Sequence, residues 1–237
     1  MCCDSRDLFE HPRTGLLPEA APVLAPLPSP TIRGAAMPEP SNPEATTPNP
    51  SELEALARRI ERPVVLVGMR GVGKTSVGKR LAAVLRFDFV DADEAIEEAA
   101  HMTVAEIFER YGEAYFRSGE RRVIARLLDE QRGGVGSSGG SVIATGGGAF
   151  VDPATRALIL ERGIAVWLDS DVETLLDRVG RNSNRPLLRQ GDPRETILRL
   201  KSERQALYRE APIHIQSRAG PHHKAVAAIL RGLEQWR

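Results

Sequence analysis

Residues 68–75 read Gly-Met-Arg-Gly-Val-Gly-Lys-Thr and fit G-x-x-x-x-G-K-[ST], the pattern of a phosphate-binding loop. Such a loop works only between a buried strand and a helix, so it constrains the fold on both sides. Before it, Val64-Val65-Leu66-Val67 is a short apolar run suited to a buried strand. After it, Val77, Leu81 and Leu85 recur at four-residue spacing, the period of a helix face. Gly68, Gly71 and Gly73 allow the backbone to curl so that its N–H groups converge on phosphate oxygens. The N-terminus of the helix adds a partial positive charge. In this pattern Lys74 reaches the β- and γ-phosphates and the Thr75 hydroxyl ligates Mg²⁺. The run Gly71, Val72, Gly73, Lys74, Thr75 and Ser76 is therefore the expected nucleoside-triphosphate contact.

The remaining composition narrows the partners. The chain has 32 basic and 32 acidic residues, so no long-range field favours nucleic acid or an anionic membrane. No apolar run approaches the length of a membrane span. The cysteines are the adjacent Cys2 and Cys3, which is no disulfide framework and fits a reducing cytoplasm. Residues 1–50 hold 11 of the 17 prolines and are expected to be a disordered tail rich in proline and alanine. Asp4, Asp7, Glu10 and Glu19 argue against an organelle address there, and Met37 offers an alternative start.

Residues 51–237 read as one domain. Ser51-Glu52-Leu53-Glu54 has the form of a capping box before a short helix. Later strands are expected at Phe87–Val90, Val142–Ala144, Ile164–Leu168 and Ile213–Ile215. Helical patterns lie near 94–100, 103–111, 116–130 and from Pro221 to about Trp236. Residues 133–140 are a glycine–serine connection. Strands alternating with helices imply a five-stranded parallel sheet with helices on both faces. Ligands of such a sheet sit at the carboxyl ends of its strands.

Those ends carry polar chemistry. Strand two runs into Asp91-Ala92-Asp93. One carboxylate could hold Mg²⁺ through water and the other accept a proton from an attacking hydroxyl; alternatively Asp93 caps the helix beginning near Glu94. Strand three runs into Thr145-Gly146-Gly147-Gly148, either a packing bend or backbone N–H groups opened to a polar ligand. Arg117, Arg185 and Arg204 could grip a carboxylate or neutralise phosphate, or sit solvated on the surface. The polar stretch 182–194, with Gly191 and two prolines, has the look of a mobile lid carrying Arg185.

Together these residues resemble the shikimate kinases. The resemblance is carried by Gly68–Thr75, Asp91-Ala92-Asp93, Gly112–Arg117 with Glu120, Ala144–Gly148, and Asn184-Arg185-Pro186-Leu187-Leu188, and spans residues 62–235. It implies a P-loop kinase that transfers the γ-phosphate of ATP, with Mg²⁺, to the 3-hydroxyl of shikimate on the route to chorismate and the aromatic amino acids. On that resemblance Asp93 binds substrate hydroxyls and is the candidate base. Arg117 and Arg204 grip the shikimate carboxylate, Glu120 supports the arginine end of the pocket, and Gly147 and Gly148 lie beside the ring. Arg185 is the lid arginine at the phosphates, Arg178 lies near adenine, and Asp91 orders the water around the metal held by Thr75. The resemblance also implies a monomer. Two rivals differ in kind: another small-metabolite kinase, such as one acting on gluconate, and a nucleotide-responsive binding module without catalysis. The triple glycine and the Arg-Pro-Leu-Leu run weigh against the first, and the intact Lys74, Thr75, Asp91 and Asp93 against the second.

Overall fold

A computed structural model describes residues 49–133, 140–180, 192–217 and 220–236. The expected tail, the glycine–serine connection and the lid with Arg185 lie outside the described residues, except at their ends. Five strands form one sheet: β1 (Val64–Val67), β2 (Asp88–Asp91), β3 (Ser141–Ala144), β4 (Ile164–Asp169) and β5 (Ile213–Gln216), in the order β2-β3-β1-β4-β5. Every pairing is parallel. The fold expectation therefore holds.

β1 lies at the centre, paired through Val65 with Ile143 on one side and Ala165 on the other. All four of its residues are fully buried, which explains an unbroken β-branched run in place of alternation. Successive side chains point to opposite faces. A Cβ placed on Gly78 would lie 3.2 Å from the Leu66 side chain, and one on Gly163 would lie 2.7 Å from Val65. The edge strand β5 instead alternates, with Ile213 and Ile215 buried and His214 and Gln216 exposed.

Among the described residues, helical elements cover the two faces: α1 (Pro50–Arg59), α2 (Lys74–Leu85), α3 (Ala92–Ala100), α4 (Val104–Gly133), α5 (Pro153–Arg162), α6 (Val172–Gly180), α7 (Pro193–Tyr208) and α8 (His223–Gln235). The right-handed crossover rule puts α2 on one face and α4 and α5 on the other, because β1 to β2 and β2 to β3 run in opposite directions across the sheet. Contacts agree: α1 and α8 pack on α2, while α3 and α5 pack on α4. Among the described residues no helix is long and apolar enough to cross a membrane.

Two local readings are corrected. The cap of α1 is Asn49, two residues before Ser51; its side chain accepts from Glu52 N at 2.9 Å and Glu52 reciprocates on Asn49 N at 2.9 Å. Pro50 fits this boundary, since proline is favoured at the first helical position and Asn49 before it supplies the capping oxygen. β2 runs one residue further than expected, so Asp91 ends the strand and caps α3, and Asp93 sits inside the first turn. The helices expected at 103–111 and 116–130 are both present as the two arms of α4, separated at Gly112, whose backbone is not helical (φ 77°, ψ 177°). That conformation is open to glycine and strained for any other residue.

Candidate active site

The loop from Gly68 to Gly73 leads from β1 into α2 without a side-chain cap. Gly71 and Gly73 have φ of 88° and 97°, which turns the local N–H groups into one concavity. Lys74 is buried, and its ammonium folds over the loop, donating to Gly68 O at 2.8 Å and Met69 O at 3.0 Å. Val72 is buried and Ser76 exposed. On the outer flank, Arg178 of α6 donates to Val72 O at 2.7 Å.

Thr75, in the first turn of α2, donates its hydroxyl to Asp91 Oδ2 at 2.8 Å, and Asp91 Oδ1 accepts from Asp93 N at 3.1 Å. The two acids two residues apart thus do different work. Asp91 is held by a hydroxyl and a helix N-terminus. Asp93 is half-buried, and burial pushes its carboxyl above the ordinary aspartate range, with the charges of Asp91 and Glu97 adding to the rise and those of Lys74 and Arg70 opposing it.

The bend at Gly112 directs the second half of α4 into the site, where it carries Arg117 and Glu120. Arg117 donates to Glu120 Oε2 at 2.6 Å and to Glu113 Oε1 at 3.2 Å. Glu120 is 1% exposed, and its other oxygen has no hydrogen-bond partner. Burial raises its carboxyl despite the pull of Arg117.

The three glycines after β3 hold these groups together by leaving space. A Cβ on Gly146 would come within 2.7 Å of Asp93 Oδ1 and 3.2 Å of Glu120 Oε1; one on Gly147, within 2.9 Å of Arg70 N; one on Gly148 would overlap the Arg117 guanidinium. Real Cβ atoms essentially never approach other atoms closer than 3.0 Å, so the contacts below that distance exclude a side chain unless the neighbour shifts. The carbonyl of Gly147 accepts from the Tyr208 hydroxyl at 2.6 Å and from Arg204 Nη1 at 3.4 Å, both from the last turns of α7. Tyr208 is wedged between Phe150 and Trp167, ring centroids 6.3 and 6.0 Å away. Burial pushes its hydroxyl up to about 12, so it stays a donor.

One edge of the sheet therefore gathers Gly71 to Thr75, Asp91, Asp93, Arg117, Glu120, Gly147, Gly148 and Arg204. Arg178 stands on its nucleotide-loop flank, and Arg185 lies outside the described residues. Sequence reasoning missed three members. Gly146 was visible only as the first of the glycine run, and it is the one that faces both buried acids. Tyr208 gave no polar signal because an aromatic at the end of a helix reads as core. Arg70 was passed over as a variable position of the loop.

Thr75 and Asp91 present hard oxygens 2.8 Å apart at a helix N-terminus, a donor set that fits a small divalent cation otherwise bound by water and phosphate. Among the described residues no group of three or more His, Cys, Asp or Glu side chains could hold a metal without such help.

Comparison with known proteins fits this constellation. Residues 70–234 match the family described as shikimate kinase. The shikimate kinase of Novosphingobium aromaticivorans is 61% identical over 184 residues, 78% of this chain and 93% of that protein. The shikimate kinase of Rhodopseudomonas palustris is 50% identical over 77% of this chain and 86% of its own length. Among solved structures, the Acinetobacter baumannii shikimate kinase in complex with shikimate is 35% identical, covers 77% of this chain and 96% of its own, and superposes with a TM-score of 0.66. The phosphate-binding loop, the acid pair, the arginine of α4 and the triple glycine thus occur together in a chain that, on these matches, belongs to the shikimate kinase family.

Proposed function

We propose that this site transfers the γ-phosphoryl group of ATP to the 3-hydroxyl of shikimate, giving shikimate 3-phosphate and ADP. The observation that carries the reading is the glycine run of residues 146–148, whose missing side chains leave room for the Asp93 carboxyl, the Arg70 backbone and the Arg117 guanidinium at once. An acid-bearing, hydroxyl-bearing ring fits between a cationic end and a carboxylate end of this kind.

Arg117 and Arg204 grip the shikimate carboxylate, a task suited to the paired N–H donors of arginine. Glu120 and Glu113 hold Arg117 in place. The ring lies along Gly147 and Gly148. Asp93 orients the ring hydroxyls and takes the proton of the attacking one, and burial, by raising its carboxyl above the ordinary range, makes it the stronger base. The hydroxyl oxygen bonds to the γ-phosphorus as the bond to the β–γ bridging oxygen breaks, and the electron pair leaves with ADP. Most of the rate in such a transfer comes from position and charge neutralisation. Lys74 swings from the loop carbonyls to the phosphates, the loop N–H groups hold them, and Arg178 flanks the adenine end. Thr75, with Asp91 through water, would hold Mg²⁺, which supplies further neutralisation of the phosphates when bound. Arg185 takes the phosphate-facing role that the resemblance implies. As the resemblance also implies, the working form is a cytoplasmic monomer acting in aromatic amino acid biosynthesis.

The test is ADP release by the full chain with ATP and Mg²⁺, with shikimate, with gluconate, or with neither. Release that depends on shikimate alone is expected. Release with gluconate in its place, or none from folded protein, would overturn the reading.

A further inference from the structure

Arg70 is the second variable residue of the phosphate-binding loop. Its backbone lies against Gly147: a Cβ there would meet Arg70 N at 2.9 Å and Arg70 Cβ at 3.3 Å. The loop of β1 and the loop of β3 thus touch at this residue, between the nucleotide side of the site and the acceptor side. Arg70 is exposed, whereas its neighbours Met69 and Val72 are buried. Its charge reaches the acceptor side, since it is one of the two cations that pull the Asp93 carboxyl down.

Among the described residues, four other cations at the cleft are engaged with protein oxygens. Lys74 is on Gly68 and Met69, Arg117 on Glu113 and Glu120, Arg178 on Val72, and Arg204 on Gly147. Among the described residues Arg70 makes no hydrogen bond or ion pair. An exposed arginine is ordinarily held by water alone. Here, however, the charge of Arg70 is felt at Asp93, and its backbone abuts Gly147 where the two loops meet.

We propose that Arg70 is a further catalytic residue, one that meets the phosphoryl group on its acceptor side. The proposal rests on the kinase reading above. As the acceptor oxygen bonds to phosphorus and the bond to the bridging oxygen breaks, the group moves away from Lys74 and toward Asp93. A phosphate ester so close to a carboxylate is repelled unless a cation stands between them. Arg70 supplies that cation, with five N–H donors for the phosphoryl oxygens. It therefore grips the transferred group and the product phosphate, and does little for ATP or for unphosphorylated shikimate.

The experiment compares the full chain with Arg70→Met and Arg70→Lys by steady-state kinetics and by calorimetric titration with shikimate, shikimate 3-phosphate and ATP. An arginine fully engaged with a transferring phosphoryl group accounts for about 10³–10⁵ in rate, and one open to water for less, so Arg70→Met is expected to lower kcat about 10–100-fold. It should weaken shikimate 3-phosphate about tenfold while shikimate and ATP change less than about threefold. Arg70→Lys should restore part of both losses, and it keeps the test informative if the Met variant folds poorly. Unchanged kcat and product affinity would overturn the proposal and leave Arg70 a solvated loop residue. Equal weakening of shikimate and its phosphate, or weakening of ATP alone, would also overturn it. Failure of the kinase reading is separable, because the unmodified chain would then show no shikimate-dependent ADP release.

Discussion

Asp93 and Glu120 show how one pocket sets two acids to different tasks. Both are raised by burial, but Asp93 opens to the cleft and Glu120 is sealed behind Arg117. Asp93→Asn is expected to lower kcat by about 10²–10⁴ if the carboxylate takes the proton; a loss below about tenfold would reduce it to a positioning group. Arg117→Ala should raise the KM for shikimate far more than that for ATP, since an ion-paired carboxylate is worth about 2–5 kcal/mol. It should also lower stability, because Glu120 is left buried without its cation. An unchanged KM for shikimate would contradict the assignment. Glu120 predicts a pH effect of definite sign. Its folded pKa lies above the ordinary 4.5, so the folded state holds the extra proton, and this stabilising term is lost as pH rises through the folded value. Glu120→Gln lacks that titration. The thermal midpoint of the variant minus that of wild type should therefore become more positive from pH 4.5 upward. A difference that is flat or falls with pH would remove the buried-acid argument.

Elements place these residues through close approach. Gly78 lets α2 lie against the sheet, since a Cβ there would come within 2.6 Å of the Phe89 ring. Within a helix Gly→Ala is intrinsically favourable by about 0.5–1 kcal/mol, but overpacking costs about 1–3 kcal/mol. Gly78→Ala is thus expected to destabilise by about 1–2 kcal/mol in urea titration. A gain in stability would show that Phe89 moves aside freely. At this scale the sequence was legible wherever periodicity and apolar runs are strong, as in β1, β3, β4 and α8. It was less so where a single residue decides a boundary. Asn49, before Pro50, is the cap of α1, and extension of β2 to Asp91 made that residue the cap of α3. Gly112 marked a break between helical patterns but not its outcome, a bend that aims Arg117 and Glu120 at Gly146 and Gly148.

The whole molecule should respond to its ligands as one folding unit, because the site draws on the ends of β1, β2 and β3 and on helices from both faces. Shikimate at about a hundredfold its Kd is expected to stabilise the full chain by about 2.7 kcal/mol, with no comparable effect of gluconate. Absence of a shift in thermal midpoint would mean that the pocket does not form on binding. The phosphate-binding loop, the parallel sheet and most of the polar residues at the strand ends were determined by the sequence alone. Their signals are local: a glycine pattern, an apolar run, a helical period. The tertiary structure alone decided which glycine yields to which side chain, that Tyr208 and Arg204 reach the carbonyl of Gly147 across 61 and 57 residues, and that Arg70 lies against Gly147. Those relations depend on strand register and helix docking, which bring distant segments within a few ångströms of one another, and no short-range pattern in a chain carries that information.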